Sequence, residues 1–112
     1  MGSEPVAVWD IITVPFPYTD RPTRQRRPAL VVRRINPGDL LWVLMITSAE
    51  NRGWAGDIAI AGAATGLPVA SLVRTSKIAT VESMDARRIG HAPVRVSTAV
   101  LSLLRDWLGK AG

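Results

Sequence analysis

The chain has 112 residues, of which 47% are hydrophobic and 21% are charged, so we expect one folded domain over residues 1–112 and exclude a disordered tail. It has no cysteine and one histidine, which excludes disulfides and leaves too few ligands for a zinc site, so neither a cofactor nor a structural metal is expected. No apolar run approaches the roughly 20 residues needed to cross a bilayer and no signal peptide is evident, so we expect a cytoplasmic protein without a membrane partner.

The formal net charge is +5, and arginine supplies twelve of the fourteen cationic side chains. A guanidinium is a planar fork that suits phosphate, so the composition favours a phosphate-bearing partner, although a high-GC genome would also favour arginine. Clustering supports the first explanation, because six arginines fall between residues 21 and 34. They are Arg21, Arg24, Arg26, Arg27, Arg33 and Arg34.

The first half of the chain predicts three strands. Val6–Val14 alternates as a strand does, and the prolines at 15 and 17 are expected to end its ladder before a loop that reaches Gln25. Pro28–Arg34 resumes as a second strand. The turn sequence at 36–39 then makes the apolar run Leu40–Thr47 its hairpin partner, buried on both faces.

The second half predicts shorter strands and one helix. In chain order the pattern indicates a loop with a short helical turn at Ser48–Gly56, a strand at Asp57–Ile60, a turn at Gly62–Pro68, a strand at Ser71–Val81, a turn at Ser83–Asp85 and a strand at Ala86–Gly90. An amphipathic helix then begins with Ser97 or Thr98 as its cap and ends at Gly109. Its apolar stripe is Val100, Leu103, Leu104, Trp107 and Leu108. The elements together predict a mainly β fold, a curved antiparallel sheet or partly open barrel with a C-terminal α-helix packed on it.

Several local sequences occur in an order that resembles one known family. They are WDIITVPFPYTD, RRPALVV, VLMITSAENRGWAGDIAI, GLPVASLVRTSKIATVES and RRIG, and they extend over nearly the whole chain. Together they resemble the MazF/PemK toxins of bacterial type II toxin–antitoxin pairs. The resemblance implies an SH3-like small barrel of the CcdB/PemK type, a homodimer, a cognate antitoxin partner, and metal-independent cleavage of single-stranded RNA.

The resemblance also implies the site residues. The family's catalytic arginine precedes a proline at the start of the second strand, which matches Arg27, and its catalytic threonine or serine ends the next strand, which matches Thr47. The loop 19–26 and the loop around Asn51–Trp54 are expected to line the RNA groove, where an antitoxin peptide also binds. The RNA-binding residues so predicted are Tyr18, Thr19, Asp20, Arg24, Arg26, Ser48, Asn51, Arg52 and Trp54.

Two departures from the family pattern stand out. Trp9 occupies a place where members commonly have glycine, a change that affects packing more than chemistry. Arginine and proline replace a Gly/Ser-rich version of the loop at 20–25, and a stiffer, more cationic loop should alter which bases reach the site.

The residue types suggest a division of roles. Without a metal, RNA can be cut by its own 2′-hydroxyl, so the protein must supply alignment and charge stabilisation. Arg27 is a poor proton acceptor and suits stabilisation of the transition state, whereas Thr47 can hold a phosphate oxygen. Asp20 and Asp57 could be bases, but both lie beside turns, which favours loop capping.

Several other side chains have two possible roles, one functional and one structural. The single histidine, His91, is expected at the surface or packed in a loop rather than in the site. Tyr18 and Trp54 could stack on bases or could cover the barrel or a dimer contact. Arg24 and Arg26 are expected to contact phosphates or acidic antitoxin residues, with solvated loop charges as the alternative.

Two other functions fit the same fold. A non-catalytic CcdB-like toxin would inhibit a protein such as DNA gyrase through an aromatic-bearing C-terminal tail, but Trp107 falls inside the helical stripe. A plain RNA-binding module would leave Arg27 structural and would retain RNA without cleaving it.

Overall fold

The computed structural model describes residues 6–15, 26–35, 39–51 and 54–111, without the side chains of residues 51 and 107–111. Six strands and one α-helix follow one another along the chain. They are β1 (Asp10–Pro15), β2 (Arg26–Ile35), β3 (Leu40–Ser48), β4 (Asp57–Ile60), β5 (Ser71–Glu82), β6 (Arg87–His91) and α1 (Val94–Ala111). Short 3-10 turns lie at Ala49–Asn51, Ala63–Thr65 and Ser83–Asp85.

The strands form one antiparallel sheet in the order β4-β5-β3-β2-β1-β6. This confirms the mainly β fold with a C-terminal helix. The sheet is open, because β4 and β6 are its outer strands in the described part of the chain and do not pair with each other. The helix packs near one edge of the sheet, where it contacts the four-residue outer strand β4 and its neighbour β5. Within the described ranges, no helix combines the length and the apolar character that a bilayer-spanning segment needs.

Buried side chains form a separate cluster on each face of the sheet. The cluster on the helix side contains Ile11, Leu30, Leu44, Ile46, Ile60, Val73, Ala92, Val96 and Val100. The cluster on the opposite face contains Ile12, Val14, Ala29, Val31, Leu41, Val43 and Ala79. Adjacent residues of one strand therefore belong to different clusters, as the alternation of a strand requires. Burial on both faces explains why β3 is almost continuously apolar, as predicted.

β1 begins at Asp10, four residues later than the predicted start at Val6. The cause is Trp9, which has a φ of 74°, a left-handed conformation that a strand cannot continue through. Its backbone N–H donates to the Val31 carbonyl at 2.7 Å, which holds this turn against β2. The departure from the family's glycine thus affects the backbone as well as packing.

The helix differs from its prediction at both ends. It begins at Val94, because the Pro93 carbonyl accepts hydrogen bonds from the N–H groups of Val96 (2.9 Å) and Ser97 (3.2 Å). Ser97 is therefore inside the first turn and is not the cap. The helix also continues through Gly109 to Ala111, since a glycine weakens a helix without obliging it to end.

The remaining elements agree with the predictions within one or two residues. β2 and β3 pair as a hairpin, with Ala29 opposite Met45 and Ile35 opposite Leu40. The predicted helical turn after β3 is the 3-10 turn Ala49–Asn51, and the predicted turn Ser83–Asp85 is also a 3-10 turn.

Candidate active site

Arg27 and Thr47 project from the same face of neighbouring strands at one end of the sheet. The β2–β3 ladder starts with Ala29 opposite Met45, and the two candidate residues each lie two positions beyond that pair. Side chains two positions apart share a face of a strand, so all four belong to the face opposite the helix. Arg27 is exposed and Thr47 is partly buried, so this end of the face presents a guanidinium beside a hydroxyl.

The same face continues across β5 to β4. Met45 is paired with Arg74 of β5, and Arg74 is paired with Asp57 of β4. A second arginine therefore lies one strand away from Thr47, which is itself paired with Leu72. Arg74 is not among the site residues predicted from the sequence. The signal that could have identified it is a charged residue directly after the buried run Ser71–Val73.

Arg74 contacts Trp54, which lies in the turn before β4, and Asp57, which is the first residue of β4. Its guanidinium lies over the Trp54 ring, 4.2 Å from the ring centroid, which is a cation–π contact. Its Nε lies 3.8 Å from Oδ2 of Asp57. Trp54, predicted to bind RNA, is 47% exposed in this arrangement. The structure thus brings Trp54 to the face that carries Thr47.

Arg26 projects from the other face of β2, toward β1. Its Nε donates to the Thr13 hydroxyl at 3.1 Å, and its Nη2 donates to the carbonyls of Thr13 and Asp85, each at 2.6 Å. Burial and the neighbouring positive charge of Arg87 lower the pKa of Arg26, and the carboxylate of Asp85 opposes them. This guanidinium ties β2 to β1 and to the turn before β6. Its predicted contact with RNA or an antitoxin stays a prediction.

Several predicted site residues lie outside the described part of the chain: Tyr18, Thr19, Asp20, Arg24 and Arg52. The backbone of Asn51 ends the 3-10 turn after β3, but its side chain is not described. Ser48 is the last residue of β3 and pairs with Ser71. Among the described residues, Arg27, Thr47 and Trp54 lie on the face opposite the helix, whereas Ser48 directly follows Thr47 in β3 and projects from the helix side.

His91 belongs to a separate cluster at the β1–β6 edge of the sheet. Its Nδ1 lies 2.9 Å from Oδ1 of Asp10, and Nε of Arg88 lies 3.2 Å from the same oxygen. The Ala7 N–H donates to Oδ2 of Asp10 at 2.8 Å. Burial raises the pKa of Asp10, but the hydrogen bonds from Ala7 and His91 and the charge of Arg88 outweigh it, so the pKa is lowered.

A groove of about 1080 Å³ lies along β6, lined in part by Arg34, Arg87, Arg88 and His91. Among the residues that the structure describes, none of the site residues predicted from the sequence lines this groove, and Arg27 and Thr47 lie elsewhere on the sheet. In the described part of the chain, no three carboxylate or imidazole side chains are grouped as ligands for a metal ion.

Comparison with protein families matches residues 7–108 to the family described as PemK-like, MazF-like toxin of type II toxin–antitoxin system. The match covers nearly the whole chain, so the protein belongs to this toxin family, as the sequence resemblance indicated. Comparison with curated protein sequences gave no significant match.

Solved structures share the fold at low sequence identity. MazF in a MazE–MazF crystal structure (Form-II) from Deinococcus radiodurans superposes with a TM-score of 0.72 at 21% identity, covering 96% of this chain and 98% of the other. An endoribonuclease in complex with its cognate antitoxin, from a mycobacterial species, gives 0.70 at 13% identity, with 96% of each chain covered. The toxin MazF-mt6 of Mycobacterium tuberculosis gives 0.66 at 23%, covering 87% of this chain and 93% of the other.

Proposed function

We propose that this toxin is a sequence-selective endoribonuclease that cleaves single-stranded RNA without a metal ion. The 2′-hydroxyl attacks the adjacent phosphorus, the P–O5′ bond breaks, and the 5′-oxygen leaves and is protonated, so that the products have a 2′,3′-cyclic phosphate and a 5′-hydroxyl end. The observation that carries the proposal is the position of Arg27 and Thr47 on one face of neighbouring strands. An exposed guanidinium beside a hydroxyl is suited to hold a phosphodiester and to stabilise the charge that develops on it.

The two side chains have different roles in this proposal. Arg27 binds the non-bridging phosphate oxygens and stabilises the added negative charge of the transition state, since a guanidinium donates hydrogen bonds and stays charged. Thr47 donates a hydrogen bond to a phosphate oxygen and keeps the phosphorus aligned with the attacking oxygen. Both residues lie on regular strands, which hold them more rigidly than loops would.

The proposal includes the partners of the toxin. A cognate antitoxin protein binds it and blocks the RNA-binding face, and the toxin acts as a homodimer in the cytoplasm. Support comes from family membership and from the similar fold of MazF chains in MazE–MazF complexes and of an endoribonuclease solved with its cognate antitoxin. Co-expression with the neighbouring reading frame, followed by size-exclusion chromatography with light scattering, measures both associations.

The test of activity is cleavage of a long single-stranded RNA by the purified protein in excess EDTA. We expect discrete products that end in a 2′,3′-cyclic phosphate, which mass spectrometry identifies. Substituting the attacking 2′-hydroxyl with hydrogen at a mapped cleavage site should abolish cutting there, because the nucleophile is removed.

Arg27→Ala should reduce the cleavage rate by at least about 100-fold, the usual cost of losing a donor to a transition-state oxyanion. Arg34→Ala is the matched control, because it removes an exposed arginine from the far end of the same strand. RNA that is bound but stays intact across several substrates would reject the nuclease and favour a binding module. Equal loss of activity in both variants would reject a specific role for Arg27.

A further inference from the structure

The first observation is the environment of the Trp54 ring. The guanidinium of Arg74 covers the ring at 4.2 Å from its centroid, and 47% of the residue remains exposed. A tryptophan that has a cation against its ring and an open remainder can accept a second planar group. The bases of unpaired RNA are such groups, because each has a π-face that stacks on aromatic side chains.

The turn that carries Trp54 is fastened to β5. The Asp57 N–H donates to the Trp54 carbonyl at 3.3 Å, which closes the turn, and Gly56 inside it has a φ of 88°. The hydroxyl of Thr75, a fully buried residue, donates to the Gly56 carbonyl at 2.8 Å. With the contacts of Arg74, two consecutive residues of β5 hold this turn in place. Trp54 is therefore ordered before any ligand binds, which lowers the entropic cost of stacking.

Arg74 is too enclosed to act as an open phosphate ligand. Its side chain is 13% exposed, and the side chain of its partner Asp57 is 10% exposed. In the described part of the chain, neither carboxylate oxygen of Asp57 accepts a hydrogen bond, so the 3.8 Å contact with Arg74 compensates the buried charge incompletely. An ion pair of this kind is a weak source of stability. The same guanidinium contacts both Asp57 and the Trp54 ring.

The ordered ring lies close to the proposed cleavage site. Arg74 is paired with Met45, and Thr47 is two positions further along β3 on the same face. Diagonal neighbours in adjacent strands are separated by about 7–8 Å, so the Arg74–Trp54 stack is near the phosphate that Arg27 and Thr47 would hold. A nucleotide adjacent to the cleaved bond can reach the ring.

We propose that Arg74 is a positioning residue that holds Trp54 as a preformed stacking surface for an unpaired base next to the cleaved phosphodiester. This inference rests on the proposed ribonuclease function. In this proposal Trp54 contributes to the affinity for the RNA substrate, and Arg74 affects that affinity only through its contact with Trp54. Because stacking accepts every base, the stack contributes affinity for single-stranded RNA in general and not the choice of cleavage sequence.

The test is a double-mutant cycle on KM and kcat for one single-stranded oligonucleotide that contains a mapped cleavage site. Trp54→Ala should raise KM about 5- to 150-fold, the range for one lost base stack, with kcat unchanged. Arg74→Ala should raise KM in the same direction. Combined with Trp54→Ala, it should add no further increase, because it acts through the ring that has been removed. Trp54→Phe should recover most of the affinity.

The chain offers a matched control. The guanidinium of Arg33 lies 5.7 Å from the centroid of the Trp42 ring, a second arginine–tryptophan contact elsewhere on the sheet. Arg33→Ala removes the same charge and the same kind of contact, and it should leave KM unchanged. A KM increase equal to that of Arg74→Ala would show a general charge effect and overturn the inference.

A separate control distinguishes an effect on folding from an effect on RNA binding. Arg74→Ala leaves the buried Asp57 carboxylate without its cation, so the pair Arg74→Leu with Asp57→Asn provides a variant without either charge. We expect this pair to unfold at a urea midpoint close to that of the wild type and still to raise KM. A folded pair with wild-type KM, or additive effects of Arg74 and Trp54, would overturn the inference. Failure of the wild type itself to cut RNA would instead reject the proposed function.

Discussion

Arg26 and Arg27 are consecutive in β2, yet their guanidinium groups serve opposite faces of the sheet. Arg26 makes three hydrogen bonds to the backbone and side chain of Thr13 and to the backbone of Asp85, whereas Arg27 is exposed on the face shared with Thr47. One arginine is therefore part of the architecture, and the other is available to a ligand.

Arg26→Ala should lower the free energy of unfolding by about 1–3 kcal/mol, because it leaves acceptors on β1 and on the turn before β6 without their donor. Urea unfolding measures the change. Arg27→Ala, which removes an exposed side chain, should alter stability by no more than about 0.5 kcal/mol. If Arg26→Ala left stability intact and raised KM for RNA, the RNA contact predicted from the sequence would be favoured over the structural role.

Thr47→Ala and Thr47→Ser separate the hydroxyl of Thr47 from its methyl group. The alanine variant should lower kcat by about 100-fold, because a group that orients the phosphate is lost. The serine variant keeps the hydroxyl at the end of β3 and should retain most of the activity. Both should be measured at saturating RNA under single-turnover conditions. Equal losses in the two variants would show that the methyl packing matters and not the hydrogen bond.

Asp10 should make the protein less stable in acid. Its pKa is lowered in the folded state, against the effect of burial, by the Ala7 N–H, by His91 and by the charge of Arg88. A carboxyl group with a lowered folded pKa contributes stability above its unfolded pKa of about 3.9, and that contribution is lost as the pH falls through the folded value. The free energy of unfolding should therefore decline below about pH 4.

The control for this acid effect is Asp10→Asn, which keeps an acceptor for the Ala7 N–H but carries no charge. It should be less stable than the wild type at pH 7 by about 1–3 kcal/mol, since Arg88 and His91 lose their partner. The difference should shrink as the pH falls below about 4. Parallel stability profiles for the two proteins would contradict the assignment to Asp10.

At position 9, a glycine variant should be more stable than an alanine variant, which is the reverse of the usual order. Trp9→Ala loses the packing of the indole against the helix-side core and keeps an unfavourable φ of 74°, whereas Trp9→Gly loses the packing and relieves the backbone. We expect both variants to be less stable than the wild type and the glycine variant to be about 1 kcal/mol more stable than the alanine variant. Denaturant unfolding decides the order, and an alanine variant that is the more stable of the two would contradict it.

Local pattern predicted most of the elements because burial imposes a period on the sequence. The alternation at Ile11 and Ile12 and the apolar run of β3 indicate strands, and the turn sequence at 36–39 indicates which two of them form a hairpin. The ends of the elements were less predictable. β1 begins after Trp9 because the positive φ of Trp9 interrupts the strand, and α1 begins at Val94 because the Pro93 carbonyl accepts the first hydrogen bonds of the helix. Neither starting position follows from the hydrophobic periodicity of the sequence.

The sequence by itself determined the mainly β class, the toxin family and the candidate pair Arg27 and Thr47, because strand alternation and motif order are properties of short segments. Tertiary structure decided which distant residues meet. Asp10 and His91 are 81 positions apart and become neighbours through the β1–β6 pairing. Arg74 reaches Trp54 and Asp57 through the register of β5 between β3 and β4, which includes an irregularity between Leu44 and Met45. Because one residue of slip moves a side chain to the opposite face, these contacts depend on long-range pairing that no local pattern encodes.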